Sequence, residues 1–314
     1  MSDQSITIIM SAYNEERFID EAIQSILNQT FKNFKFVIVN NCSTDKTGSI
    51  IQNFSKKDLR IKYIELYEKG TYVDGRTRAI SEVKTDWFAI MDADDVAEPD
   101  RLEKQIEYIK KFGTKNSVFG TWGYFINDKG KKISPIQMGP ISSKEFKDLY
   151  KNNEAIVPLD PSTVIKKASF LLAGGYRNES VPAADLCLFY RIAEKGGSIK
   201  IIPNHLMRYR IHGKSSSVEF SMLQRLKTHF INFNMRRRRS LQKELTYEEF
   251  IKNIWSRFSY RFPRLRNDFG LVFFKKAGFS FASGKYLKFF TFLFLSFLIK
   301  PIHTSKRIII HLIK

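Results

Sequence analysis

The chain is poor in cysteine and in long apolar runs. Only Cys42 and Cys187 occur in 314 residues, too few for a disulfide framework or a cysteine-built zinc site. Both read as free thiols of a reducing cytoplasm. No stretch reaches the roughly 18 uninterrupted apolar residues of a membrane-spanning helix. A signal sequence is not expected, because Asp3 precedes an apolar run of only five residues, Ile6 to Met10. The turn after that run, Ser11-Ala12-Tyr13-Asn14-Glu15-Glu16-Arg17, has no glycine, so it offers no glycine-rich phosphate cradle. Internal repeats and low-complexity linkers are absent as well. A hydrophobic content of 43% excludes a disordered chain, which needs low hydrophobicity as well as net charge.

The last third lacks acid. Residues 201–314 hold 23 Lys+Arg against 5 Asp+Glu, a net of +18, whereas residues 1–200 hold 29 against 27, a net of +2. The same last third carries 16 of the 28 phenylalanines. Basic charge alone suits nucleic acid or any anionic surface. Basic and Phe-rich together points to a membrane face.

What is present first is an alternation of strands and helices. Ile6–Met10 is a short buried strand, and Phe18, Ile19, Ala22, Ile23, Ile26 and Leu27 recur at helical spacing, which predicts a helix over 15–28. Strands follow at 34–39, 60–66 and 87–91, with helices at 46–54 and 75–83 between them. Such continuous apolar strands separated by helices predict a mostly parallel α/β sheet covered on both faces. Pro99 suits the first turn of a helix bearing Leu102, Ile106 and Ile109. Strands are expected at SVFGTWGYFI (117–126) and 162–166, a loop over 127–140 and a helix at 142–151. Long helical patterns dominate from 218.

Three polar clusters close apolar strands: Ser11–Asn14, Asn40–Asp45 and Asp92–Asp95. In an open parallel sheet, ligands bind beyond the carboxyl ends of the strands. Alternation puts Asp92 and Asp94 on one side of an extended chain, about 6.6 Å apart. Carboxylates so placed hold a hard divalent cation that bridges a diphosphate. The same residues also suit an acidic loop capping the next helix.

The run IIMSAYNEERFIDEAIQSILNQTFKNFKFVIVNNCSTDKT, followed by MDADD, resembles the family 2 glycosyltransferases of the GT-A fold. The resemblance spans about 5–215. It implies an inverting, nucleotide-sugar-dependent transferase using Mg²⁺ or Mn²⁺, of the bacterial surface-polysaccharide type. Ser11 and Tyr13 would line the base and ribose pocket, and Asn41 would face a pyrimidine ring through its carbonyl oxygen. Asn40 stands where the family has Asp. Arg76 would help position the nucleotide, with Thr77 in place of the family's Asn. Asp92 would contact the ribose and Asp94 the metal, with Asp95 nearby. GGYRNESVPAADLCLFYRIAEKG (174–196) matches the family's "GG-Y … ED-x-x-L-x-x-R" segment. It makes Asp185 the base that removes the acceptor hydroxyl's proton, with Ala184 in place of Glu. The same Asp185 also suits a helix N-cap. Tyr209-Arg210-Ile211-His212, with Ser215–Ser217 after it, matches a segment closing the catalytic domain. There His212 would approach the metal or diphosphate and Arg210 a phosphate, on the acceptor side. Asp160-Pro161-Ser162-Thr163 takes the place of the family's "H-P-S/T", which locates Asp160 on the acceptor side too. Trp122 suits either an acceptor platform or the core.

These readings divide the chain into a catalytic domain, 1–217, and a helical extension, 218–314. The first has a nucleotide half, about 1–112, and an acceptor half, about 113–217. In the extension, Arg236–Arg239 follow Phe230, Phe233 and Met235. FFTFLFLSFLI (289–299) lies among Lys285, Lys288, Lys300, Lys306 and Arg307. Eleven helical residues rise only about 16 Å, half the hydrocarbon thickness. This segment is expected in the membrane interface or packed on the catalytic domain, and the first expectation puts the chain at the cytoplasmic membrane face. The partners expected are a nucleotide sugar (UDP or dTDP), a lipid-linked or oligosaccharide acceptor and anionic lipid. The competing readings are a nucleotidyltransferase and a basic nucleic-acid-binding protein.

Overall fold

The computed structural model describes residues 5–154, 156–212, 220–282, 284–302 and 304–305. The Ser215–Ser217 stretch, Lys306 and Arg307 lie outside the described residues. Two compact units are present, one made of residues 1–126 and 134–210, the other of 127–133 and 211–314.

The first unit alternates as its apolar pattern dictates. In chain order its elements are β1 (Ile6–Ala12), α1 (Ile19–Leu27), β2 (Phe34–Asn41), α2 (Thr47–Lys57), β3 (Ile61–Leu66), α3 (Tyr72–Ser81) and β4 (Trp87–Asp92). There follow β5 (Val96–Ala97), α4 (Arg101–Phe112), β6 (Val118–Ile126), β7 (Lys132–Ile136), α5 (Ser143–Lys151), β8 (Val164–Lys166), α6 (Lys167–Leu172), α7 (Ala184–Glu194) and β9 (Ile199–Arg210). The sheet runs β3-β2-β1-β4-β8-β6-β9-β5, with β7 beside β6. Its β3-β2-β1-β4 portion is parallel. β8 is antiparallel to β4 and β6, and β5 is antiparallel to β9. Ile19, Ile23, Ile26, Leu102 and Ile106 pack with one face of the sheet. Ala79, Ile80, Leu188, Phe189 and Ile192 pack with the other.

Several boundaries moved for identifiable reasons. α1 starts at Ile19 rather than at 15. The Glu15 and Glu16 N–H groups are spent on Thr47 Oγ1 and the Asp45 carboxylate of the neighbouring loop. α3 starts a turn early because Thr71 and Asp74 form a reciprocal capping box. α4 begins two residues beyond Pro99. The stretch expected as a loop, 127–140, contains β7. β9 had no clear sequence signal: Pro203-Asn204 interrupts it, and its register with β6 slips on both sides of Trp122, so its burial does not alternate.

The second unit is helical. It comprises α8 (Ser221–Arg239), a short α9 (Tyr247–Phe250) running into a π-helical turn at Ile251–Trp255, α10 (Phe258–Ala282) and α11 (Tyr286–Ile299). Phe230, Phe250, Trp255 and Tyr260 form an aromatic core with tilted and edge-on pairs. The Arg236–Arg239 run is the last turn of α8, where cations oppose the helix dipole. Two of its arginines also fasten the following loop, Arg237 to the Lys243 carbonyl and Arg238 to Glu244. α10 and α11 pack together. Ser296 Oγ donates to the Gly270 carbonyl at 2.9 Å, and Phe273 stacks on Phe292. A Cβ at Gly270 would meet the Lys300 side chain at 2.6 Å, so glycine allows this close approach. No helix among the described residues is long and apolar enough to cross a membrane.

Candidate active site

The ends of β1 and β2 are tied into one rim. Asn14, with φ 54°, accepts the Thr44 N–H at 2.8 Å through its side chain and donates its own N–H to Ser43 Oγ. Asn40 is buried; it donates to Glu65 at 2.7 Å and accepts from Ser43 Oγ. Asn41 donates to the carbonyls of Gly70 and Thr71 and accepts the Gly70 N–H. Both amides therefore shape the rim itself. Tyr13 is 36% exposed, with Lys69 Nζ 4.0 Å from its ring centre. Ser11 lies under α3, so close that a Cβ at Gly75 would sit 2.1 Å from its Oγ.

Arg76 is a buried cation held from two sides. Projecting from α3, with only 4% of its side chain exposed, it pairs with Asp92 at 2.6 Å and with Asp160 at 2.6 Å. It also donates to the Tyr176 hydroxyl at 3.4 Å. Sequence reading treated Asp92, Asp160 and Arg76 as separate contacts; the fold brings them into one ion-pair network. Asp160 Oδ1 is buried and has no hydrogen-bond partner among the described residues. Asp185 sits in the first turn of α7. Burial, then the neighbouring Asp160 charge, pushes its carboxyl up to about 7. Burial likewise holds the Tyr72 hydroxyl well above its ordinary range, with the Asp185 charge adding to it.

The acidic loop after β4 divides its carboxylates by environment. Asp94 is partly exposed, and its carboxylate lies within 4.8 Å of that of Glu15. Asp95 is buried. Burial, and then Asp94 and Asp92, raise its carboxyl well above the usual range. Its Oδ1 accepts the Arg210 N–H at 2.8 Å. Arg210 is 2% exposed; its Nε donates to the Asp94 carbonyl at 2.7 Å and its Nη2 pairs with Glu21 at 2.5 Å. Arg210 thus fastens the loop that carries Asp94. His212 follows β9 by two residues, in the chain segment of the second unit, and is buried. Trp122 is half-buried, its ring 5.5 Å from that of His205, which stacks on Tyr124 at 4.5 Å.

Three groups at this site escaped sequence reading. Glu15 was absorbed into the expected helix 15–28, although the paired glutamates after Asn14 were its signal. Tyr72 stands one helical turn before Arg76 on α3 and Tyr176 lay in the GG-Y segment without an assigned role; the fold brings Tyr176 to Arg76.

A family model described as "Glycosyl transferase family 2" matches residues 7–170. An uncharacterized glycosyltransferase of Methanocaldococcus jannaschii is 30% identical over 240 residues, 74% of this chain and 81% of that protein. The O-antigen biosynthesis glycosyltransferase WbnJ of Escherichia coli is 31% identical over 215 residues, 67% of this chain and 81% of its own. Among solved structures, S. aureus TarS 1–349 in complex with UDP-GlcNAc superposes with a TM-score of 0.58 at 16% identity, covering 92% of this chain and 90% of that one. The Pyrobaculum calidifontis mannosyltransferase in complex with GDP-Man and Mn²⁺ gives 0.56 at 13% identity, covering 95% and 87%. At such identities the likeness speaks for the fold, which is of the GT-A type expected from the sequence.

Proposed function

The chain belongs to glycosyl transferase family 2, and from that premise we propose an inverting, metal-dependent enzyme. It moves a sugar from a UDP- or dTDP-sugar to a lipid-linked or oligosaccharide acceptor in cell-surface polysaccharide synthesis. The observation that carries this reading is the contrast between two carboxylates. Asp94 is partly exposed beside Glu15, while Asp185 is held near neutrality at about 7. A base whose pKa lies near the working pH combines the correct protonation state with useful driving force.

In this reading Asp185 takes the proton of the acceptor hydroxyl as that oxygen attacks the anomeric carbon. The bond from that carbon to the diphosphate breaks on the opposite face, so the configuration inverts. The partnerless Asp160 oxygen supports an acceptor hydroxyl beside it, donating a hydrogen bond. Ser11, Tyr13 and Asn41 border the nucleoside, and Asp92 turns toward the ribose while Arg76 fixes its orientation. The oxygen pair of Glu15 and Asp94 suits a hard cation, and the sequence motif adds His212 as a further ligand. Bound Mg²⁺ or Mn²⁺ would stabilise charge on the leaving diphosphate. Arg210 acts here through the Asp94 loop it holds.

The exposed face of α11 supports attachment to an anionic membrane surface. Leu287, Phe290, Phe294 and Leu298 recur at helical spacing and are 59% or more exposed. Lys285 and Lys288 lie beside them, exposed, and would reach lipid phosphates. A donor panel of UDP-, dTDP- and GDP-sugars with Mn²⁺ or Mg²⁺, read by thermal shift and by hydrolysis, tests the central claim. Metal-dependent stabilisation by one pyrimidine donor is expected; silence toward every donor overturns it.

A further inference from the structure

Three polar side chains sealed beneath the acidic loop keep atoms without a partner. Asp95, Arg101 and Gln105 are each 1% exposed or less. Among the described residues, Asp95 Oδ2, Arg101 Nε and Gln105 Oε1 make no hydrogen bond. A buried donor or acceptor left unmet is costly, most of all on a charged group. Folded proteins almost always meet such groups with protein or with ordered water.

The fold gathers these atoms in one region. Arg101 and Gln105 stand one turn apart on the buried face of α4. Arg101 Nη2 donates to the Ile90 carbonyl of β4 at 2.8 Å, and Gln105 Nε2 to the Ser162 carbonyl at 2.7 Å. Those acceptors are neighbours, because the Ile90 N–H donates to the Thr163 carbonyl at 2.8 Å. Arg101 Nη1 meets only sulfur, Met207 Sδ at 3.3 Å and Met91 Sδ at 3.5 Å. Met207 pairs with Ala97 across β9 and β5, and further along β9 the Arg210 N–H reaches Asp95 Oδ1. Sulfur is a weak acceptor, so the buried guanidinium has one strong bond, to Ile90. Burial presses it down to about 10, and the Asp95 charge, then that of Asp92, work against the burial. Asp95 thus acts on Arg101 with no hydrogen bond between them.

A cation placed here would face the guanidinium, and an anion would face the carboxylate. The mixed set selects a neutral molecule that both donates and accepts. One water does so: it accepts from Arg101 Nε–H and donates its two protons to Asp95 Oδ2 and Gln105 Oε1. Three hydrogen bonds are the usual number for an internal water. We infer that an internal water site joins Asp95, Arg101 and Gln105, and that through it Arg101 is a positioning residue for the acidic loop. Asp95 is then gripped from both sides, Oδ1 by the Arg210 backbone and Oδ2 by the water, which fixes the adjoining Asp94. Gln105 ties the same water to the turn Asp160–Ser162. The role of Arg101 rests on the reading that Asp94 binds the metal; the water site does not.

A crystal structure of the full chain that resolves ordered water tests the site. A water is expected about 2.7–3.2 Å from Arg101 Nε and from Asp95 Oδ2 or Gln105 Oε1. A direct Arg101–Asp95 bond, or a dry site, overturns it. Mn²⁺ titration read by electron paramagnetic resonance tests the role. Arg101→Lys keeps the charge and loses the Nε donor, Gln105→Met removes an acceptor of the water, and Lys110→Gln, exposed on the same helix, is the control. The first two should weaken Mn²⁺ binding, Arg101→Lys about ten-fold or more, and alter the spectrum of the bound ion; the control should change neither. Native affinity and spectrum in every cleft-side variant that folds remove the role of Arg101. A native chain that binds no Mn²⁺ sinks the metal reading together with that role, while the electron density still decides the water site.

Discussion

The two units solve opposite electrostatic problems. In the sheet unit, buried cations are matched by carboxylates: Arg76 by Asp92 and Asp160, and Arg210 by Glu21. Removing one partner from such a network leaves a buried charge unmet, which costs more than the pair is worth. In the helical unit the excess cations are mostly spread over exposed helix faces, where water and salt screen them. Charge there is free to serve binding to large anionic surfaces. The first arrangement buys geometry, and the second leaves the surface available.

The sharpest way to break that comparison is to neutralise the carboxyl that lies beside the Arg76 network. Asp185→Asn should lower transfer by about a hundred- to ten-thousand-fold while calorimetry finds donor affinity within two-fold, on the order of experimental scatter. Transfer at the native rate would remove Asp185 as the base. Asp94→Ala should come next, with metal-dependent donor binding falling about a hundred-fold, roughly the loss of two or so charge-assisted contacts. Unchanged metal dependence in a donor titration would move the cation elsewhere.

On the helical side, Leu287→Ser/Phe290→Ser/Phe294→Ser should reduce co-sedimentation with anionic vesicles about ten-fold and leave donor hydrolysis intact, since burial of each such side chain is worth about 1.5 kcal/mol or more. Equal retention would show that this face is not the one that meets lipid. Gly75→Ala should destabilise the sheet unit by about 1–3 kcal/mol in urea unfolding, because its Cβ has no room beside Ser11. A neutral result would show that α3 can shift away from β1.

The gentlest test is pH. A base at about 7 predicts that kcat/KM rises through that value and levels above it, and a flat profile would count against Asp185. Stability moves the other way. Between the ordinary carboxyl value of 3.8 and about 7, the folded chain holds a proton that the unfolded chain has lost. Stability therefore falls as pH rises across that window. Asp185→Asn should flatten this slope in urea unfolding measured at several pH values; an unchanged slope would place the proton on another group.

Much of the first unit was legible. Short, mostly apolar runs such as Ile6–Met10 and Phe34–Val39 favour buried strands, and their polar endings mark the ligand-facing rim. β9 was not legible, because a strand broken by Pro203 and a register slip shows no period of two. Glu15 was misread because local periodicity continued the helix backwards, while tertiary hydrogen bonds from the Glu15 and Glu16 N–H groups to Thr47 and Asp45 stopped it. In the second unit, helices were readable from spacing. Their aromatic core was not, since Phe230 comes from α8 and Phe250, Trp255 and Tyr260 from later elements, and no local rule couples them.

By itself, then, the sequence determined the alternation of strand and helix, the location of the acidic loop and of Asp185, and the concentration of positive charge after residue 200. These follow from nearest-neighbour chemistry: side-chain period, turn residues and charge count. Only the tertiary structure decided that Arg76 joins Asp92 to Asp160, that Asn41 spends its amide on the Gly70–Thr71 turn, and that Ser296 reaches the Gly270 carbonyl. Hydrogen bonds and Coulomb interactions act over a few ångströms of space. The chain that brings those partners together passes through dozens of residues that carry no trace of the meeting.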